Sequence, residues 1–297
     1  MEQYKMSENY NFSDYLFPHG TINGVPVPFY TTPEFRDEIR EKFKLREDDI
    51  FVVTYPKSGT TWLQSILKEM LYAGEAEPFS KMTLAERLPW TDNPNSLVLD
   101  AIEQWPSPRA FKCHHSTPEE MDDLFFKGVR NAKIIYVLRD PRDVSVSLYH
   151  HLKKTGISTF LSTASFDEFH QKLVRDDTVV LYGLWENHLE NWLSKRDEYS
   201  MLVLKYEDLI EDSAREIGKV AKFIGLDLPA ERISAIAEKT SFSSAKKRTD
   251  MFGDDTGLKN SLLRKGVVGD WVNNFQDKQE AEKMGNIAKE IYNKYGL

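Results

Sequence analysis

Cysteine is nearly absent from this 297-residue chain: there is one, Cys113. A single thiol cannot close an internal disulfide, and it cannot build a thiolate metal cluster. Such usage fits a reducing compartment. Positive charge is in deficit, with 39 Lys and Arg against 47 Asp and Glu and a formal net charge of −8. An acidic chain repels phosphate backbones at long range, so no nucleic-acid partner is expected. Any anionic ligand needs cations gathered locally. No stretch approaches the roughly 18 apolar residues of a membrane-spanning helix. MEQYKMSENYNFSDYLF contains no apolar run of signal-peptide length. No membrane partner is expected, and the chain reads as cytoplasmic. Internal repeats and low-complexity tracts are also missing.

What is present is patterned as alternating strands and helices. Residues 1–35 are rich in polar, aromatic and proline residues and read as a segment wrapping the surface. IFVVTYP (50–56) is a short apolar run ended by Pro56, which predicts a buried strand. After KSGTT, the apolar residues Trp62, Leu63, Ile66, Leu67, Met70 and Leu71 recur at helical spacing. AKIIYVLRD (132–140) predicts a second strand, and PRDVSVSLYHHLKK a helix with Pro141 at its first position. SMLVLKY (200–206) predicts a third strand. AREIGKVAKFIGL (214–226) predicts an amphipathic helix with Gly225 near its end. This alternation implies one α/β domain over 1–297, with a central, mainly parallel sheet flanked by helices. The polar stretch 243–263 reads as a long loop and a candidate lid.

TYPKSGTTW (54–62) joins the first strand to the first helix. A helix N-terminus offers unpaired N–H groups and a positive dipole end, which suit an anion. Gly59 permits close backbone approach, Lys57 adds a charge, and Thr60 and Thr61 add hydroxyl donors. The loop is P-loop-like, but not the nucleotide-triphosphatase version. That motif places lysine after its second glycine and supplies a magnesium hydroxyl. Here lysine comes first and the leading glycine is missing.

Three motifs together resemble the cytosolic sulfotransferase family: YPKSGTTW (55–62), YVLRDPRDVSVS (136–147) and RKGVVGDW (264–271). They fall in the family's order across residues 55–271. The resemblance implies 3′-phosphoadenosine 5′-phosphosulfate (PAPS) as sulfuryl donor, 3′-phosphoadenosine 5′-phosphate (PAP) as product, and no metal. It implies that Lys57 contacts the bridging and sulfuryl oxygens, and that Ser58, Gly59, Thr60 and Thr61 cradle the 5′-phosphate. Trp62 would stack on adenine. Arg139, Ser147, Arg264, Lys265 and Gly266 would bind the 3′-phosphate. Tyr206, in KYEDL, resembles the family's adenine-contacting tyrosine, and Thr240, Ser241 and Phe242 its second adenine clamp.

The acceptor side needs a base, and histidine titrates in the right range. The family's base lies in a K-T-H segment at a strand end. AFKCHH (110–115) matches it, with Lys112 and His114 aligned and Cys113 replacing threonine. If this stretch is a strand, Lys112 and His114 share one face while Cys113 and the rival His115 share the other. The implied function is sulfuryl transfer to a hydroxyl or amine of a small-molecule acceptor. Pocket candidates are Phe17, Phe29, Trp90, Tyr149 and Phe252. Where many family members carry an aromatic residue after Y-H, this chain has His151. The family's usual dimerisation segment, K-x-x-x-T-V-x-x-x-E, has no counterpart in VNNFQDKQEAEKMGN, which leaves the dimer open. Three alternatives stand beside this reading: a small-molecule kinase of P-loop architecture, a non-catalytic PAPS- or PAP-binding protein, and an enzyme that sulfonates an alcohol and then eliminates sulfate.

Overall fold

The computed structural model describes residues 4–6, 19–22, 25–28, 30–74, 76–77, 79–156, 160–175, 182–248 and 262–297. Two sheets are present. Near the N-terminus, β1 (Tyr4–Met6), β2 (His19–Ile22) and β3 (Val25–Pro28) pair antiparallel in that order. Short proline-rich sequence hid these strands, because little in it alternates. The central sheet holds β4 (Ile50–Thr54), β5 (Ala110–Cys113), β6 (Lys133–Leu138) and β7 (Ser200–Lys205), all parallel, in the order β5-β4-β6-β7.

Each inner strand buries both faces, so its residues sort by parity into two cores. Phe51, Val53, Phe111, Cys113, Ile134 and Tyr136 face one side. Ile50, Val52, Ala110, Ile135 and Val137 face the other. The second side is covered by the helix Thr60–Leu71 through Leu63, Ile66 and Leu67, and by Ser213–Ile224 through Ile217 and Val220. The first side is covered by Pro33–Lys42 through Phe35 and Ile39, and by Trp185–Ser194 through Leu189 and Trp192. This double coverage is what makes the strand sequences continuously apolar.

Strand order decides where a ligand can sit. The chain leaves β4 toward one edge, to β5, and leaves β6 toward the other, to β7. The crevice opened at such a switch point lies beyond the carboxyl ends of β4 and β6. The KSGTT loop follows β4, and Arg139 follows β6.

The helix Pro141–Thr155 starts where Pro141 suggested: Asp140 caps it, accepting from the Arg142 N–H at 2.9 Å, and left-handed Gly156 ends it. One expectation is corrected. Residues 243–247 belong to a helix, Phe242–Lys247, capped by the Ser241 hydroxyl, which accepts from the Ser244 N–H. The rest of the candidate lid, 249–261, and Phe17, Phe29 and Phe252 lie outside the described residues. Among the described residues no helix is long and apolar enough to cross a membrane.

Candidate active site

A cavity of about 930 Å³ opens at the switch point. Its walls include Lys57, Gly59, Thr60, Thr61 and Trp62 from the loop after β4, and Lys112 and His114 from the end of β5. Arg139, Ser147, Tyr206, Thr240, Phe242, Arg264, Lys265 and Gly266 complete the donor-side wall. Of the residues singled out in the sequence, Ser58 and Ser241 do not line it. Ser58 is fully buried beneath the loop, and Ser241 is occupied as a helix cap. Trp90 lines the cavity, whereas Tyr149 is packed in the core with its hydroxyl donating to the Ala164 carbonyl.

The loop's shape depends on two glycines. Gly59 sits at φ +110°, and a Cβ there would come within 2.7 Å of the Tyr206 ring. Gly266 sits at φ +65°, where a Cβ would meet the Phe242 ring at 2.4 Å. Each lets backbone lie flat against an aromatic face, which no other residue type permits at that conformation. Lys57 itself is left-handed, at φ 72°.

Cations converge here despite the acidic composition. Burial, then the charges of Lys112, Arg139 and Arg264, push the Lys57 ammonium down to about 7. Burial lowers Lys112 to about 8, against the opposing pull of Asp92. The Lys112 ammonium stands 4.1 Å over the Trp90 ring. Arg139 is held by donating to the Lys57 carbonyl at 3.1 Å and the Val267 carbonyl at 3.3 Å, and its guanidinium lies 4.3 Å over Tyr206. Arg264 and Lys265 both bond Asp270, at 2.6 and 2.7 Å. Asp143 accepts from the N–H groups of Gly269 and Trp271, which ties this segment to the helix after Arg139. An anion placed among these groups would relieve their mutual repulsion. Three buried donors point the same way: Arg139 Nε, Ser58 Oγ and Trp62 Nε1 have no partner among the described residues.

His114 and His115 lie just past the end of β5 and part company as the period of two along that strand predicts. His114 Nδ1 donates to the Thr54 carbonyl at 2.7 Å, which leaves the lone pair on Nε2. Burial, then the Lys112 charge, drives its pKa down to about 3, so the ring is neutral at pH 7. His115 is away from the cavity, 2.7 Å from Asp92 and 3.2 Å from Glu120. Burial alone would lower it, but the two carboxylates win and push it up to about 10. Glu120 in turn pairs with Arg36 at 2.5 Å.

Sequence reasoning missed Asp92 and Tyr182. Tyr182 lines the cavity and donates to Asp92 at 3.0 Å. The acceptor-side wall also holds Met82, Leu88, Ile102 and Trp105, with Asn93, Asn95 and His151 as polar exceptions. Apart from His151, which its place after Y-H marks, none of these has a local pattern that separates it from ordinary packing.

A parallel α/β sheet with a glycine-bearing loop and buried cations after one strand and a lysine–histidine pair after its neighbour is an arrangement suited to moving an anionic group. A family model described as a sulfotransferase domain matches residues 47–296. Sulfotransferase 2A1 of Homo sapiens is 34% identical over 287 residues, which is 91% of this chain and 96% of that protein. The 3-beta-hydroxysteroid sulfotransferase of Cavia porcellus is 33% identical, over 91% and 92% of the two chains. Mouse sulfotransferase SULT7A1, solved in complex with PAP, is similar with a TM-score of 0.71 at 28% identity, covering 91% of this chain and 93% of that one. The chain belongs to the sulfotransferase family and is a sulfotransferase.

Proposed function

We propose that this chain transfers a sulfuryl group from PAPS to the hydroxyl of a small, largely apolar acceptor and releases PAP; an amine is the second acceptor class. The observation that supports the reading most is the convergence of Lys57, Lys112, Arg139 and Arg264 on one cavity that also contains the neutral His114. The residues fit a bis-phosphorylated nucleotide. Gly59 and Gly266 make cradles that a Cβ would fill, and the buried Arg139 Nε, Ser58 Oγ and Trp62 Nε1 are donors in need of acceptors. When bound, PAPS supplies an activated sulfuryl group on a good leaving phosphate.

The protein's part is positioning and charge. Arg139, Arg264 and Lys265 hold the 3′-phosphate by charge-assisted bonds, with Ser147 beside them. Ser58, Gly59, Thr60 and Thr61 hold the 5′ end, and Trp62, Tyr206, Thr240 and Phe242 enclose the adenine, with Ser241 capping the helix that carries Phe242. Lys57 and Lys112 stabilise negative charge that develops on the oxygens around the transferring group. His114 Nε2, lone pair free because Nδ1–H is committed to Thr54, accepts the acceptor's hydroxyl proton. Burial and the Lys112 charge keep the basicity of His114 low in the free protein; the negative charge of a bound nucleotide would offset the Lys112 charge and raise it.

The test is turnover with PAPS across an acceptor panel, starting with hydroxysteroids because the Cavia porcellus relative carries that name, then phenols, aliphatic alcohols and amines. Sulfated product with stoichiometric PAP supports the reading. Binding of PAP without product from any acceptor sinks it.

A further inference from the structure

We propose that Asp92 is a positioning residue for sulfuryl transfer: its buried carboxylate holds three separate walls of the cavity together, the Trp90 platform under Lys112 among them. This rests on the function proposed above.

The geometry is unusually concentrated for one side chain. Asp92 is 1% exposed. Its Oδ2 accepts from Trp90 Nε1 at 2.7 Å, from the Tyr182 hydroxyl at 3.0 Å and from the His114 backbone N–H at 3.3 Å. Its Oδ1 accepts from the Thr91 hydroxyl at 3.1 Å and faces the His115 imidazole at 2.7 Å. Trp90, His114 and Tyr182 all line the cavity, and they come from three distant parts of the chain. The Trp90 and Tyr182 rings flank His114, with centroids at 5.7 and 5.6 Å. The same Trp90 ring supports the Lys112 ammonium. One carboxylate therefore sets both aromatic walls around His114, the strand end that presents His114, and the platform under Lys112.

Charge follows the same layout. The charged or titratable groups that bear on Lys112 are Asp92 across the Trp90 ring, His114 on its own strand end, and Lys57 on the facing loop. Of these only Asp92 favours the ammonium. Without it, burial and Lys57 act unopposed, and Lys112 loses its proton at lower pH. His115 acts through Asp92: as an imidazolium it keeps this buried carboxylate ionised from the side away from the cavity.

The experiment compares wild type with Asp92→Asn and Asp92→Glu. Lys112 is titrated by NMR of ε-¹³C-lysine protein, PAP affinity is measured by calorimetry, and kcat and KM are taken with PAPS and a hydroxysteroid from pH 6 to 9. Asp92→Asn should lower the Lys112 titration by about one pH unit or more. It should cut kcat at pH 7.5 by about 3-fold for a one-unit shift and by more for a larger one, with recovery toward pH 6, while PAP affinity stays within about 2-fold. Asp92→Glu should restore the Lys112 titration. An unchanged Lys112 titration, or a loss of kcat equal at every pH, overturns the proposal. Should Asp92→Asn not fold, Tyr182→Phe removes one of its bonds and keeps the charge. That variant should raise the acceptor KM by on the order of 10-fold with PAP affinity intact, and unaltered kinetics would overturn the idea. Wild-type protein that fails to turn PAPS over refutes the proposed function instead, while the Lys112 titration still decides what Asp92 does.

Discussion

Removing His115 should cost stability before it costs chemistry. The imidazolium lies between two carboxylates, Asp92 and Glu120, at 2.7 and 3.2 Å, and is 2% exposed. His115→Ala leaves Glu120 with Arg36 but leaves Asp92 with neutral donors only. Breaking a buried pair by deleting one partner costs about 3–5 kcal/mol. Proton linkage points to the same size. Burial opposes the charged form, yet the carboxylates raise the group from 6.5 to about 10, which at about 1.4 kcal/mol per pH unit is about 5 kcal/mol. Because the folded value lies above the unfolded one, the contribution is complete below pH 6.5 and is lost as pH rises through about 10. The measurement is guanidinium unfolding of wild type and His115→Ala at pH 6, 7, 8, 9 and 10.5. The difference should be near 3–5 kcal/mol at low pH and shrink at the alkaline end. A difference under about 1 kcal/mol, or one that is flat with pH, would show that His115 is not a buried cation.

His114→Ala should lower turnover by about 10²–10⁴-fold with PAP affinity near wild type; comparable turnover in that variant removes the base assignment. PAP should protect the protein against thermal unfolding without magnesium, and adenosine 5′-monophosphate should barely do so, since mass action rewards only a ligand that engages the 3′-phosphate cations; equal protection by both nucleotides contradicts the site. PAP affinity should weaken as pH rises above about 7, because the free Lys57 ammonium, lowered by burial and by Lys112, Arg139 and Arg264, loses its proton there; calorimetry that is flat from pH 6 to 9 refutes this. Gly266→Ala should weaken PAP at least about 10-fold, since its Cβ would strike Phe242 at a left-handed position, and equilibrium binding to that variant reads the effect.

The central fold and the loop that lines the cavity were readable because their determinants are local. A strand–KSGTT–helix run dictates its own backbone, and Lys57 to Trp62 lie within six consecutive positions. Arg139 ends a strand that is apolar on both faces, and Pro141 marks the helix after it. Period two along β5 was enough to part Lys112 and His114 from His115, given that the stretch is a strand.

Other features had no local signature. The N-terminal strands pair across polar, proline-rich sequence, and 243–247 coils into a helix because Ser241 caps it and Ala245 buries against the core. Tyr149, a candidate pocket residue by its place in the helix, turns into the core instead. Most of all, Asp92 meets His114 and Tyr182 across chain separations of 22 and 90 residues. The amino-acid sequence by itself determined which loop joins the first central strand to its helix and which strands flank it, because those depend on neighbours along the chain. Tertiary structure alone decided how far burial moves each proton and which carboxylate answers which cation, because desolvation and charge pairing depend on neighbours in space.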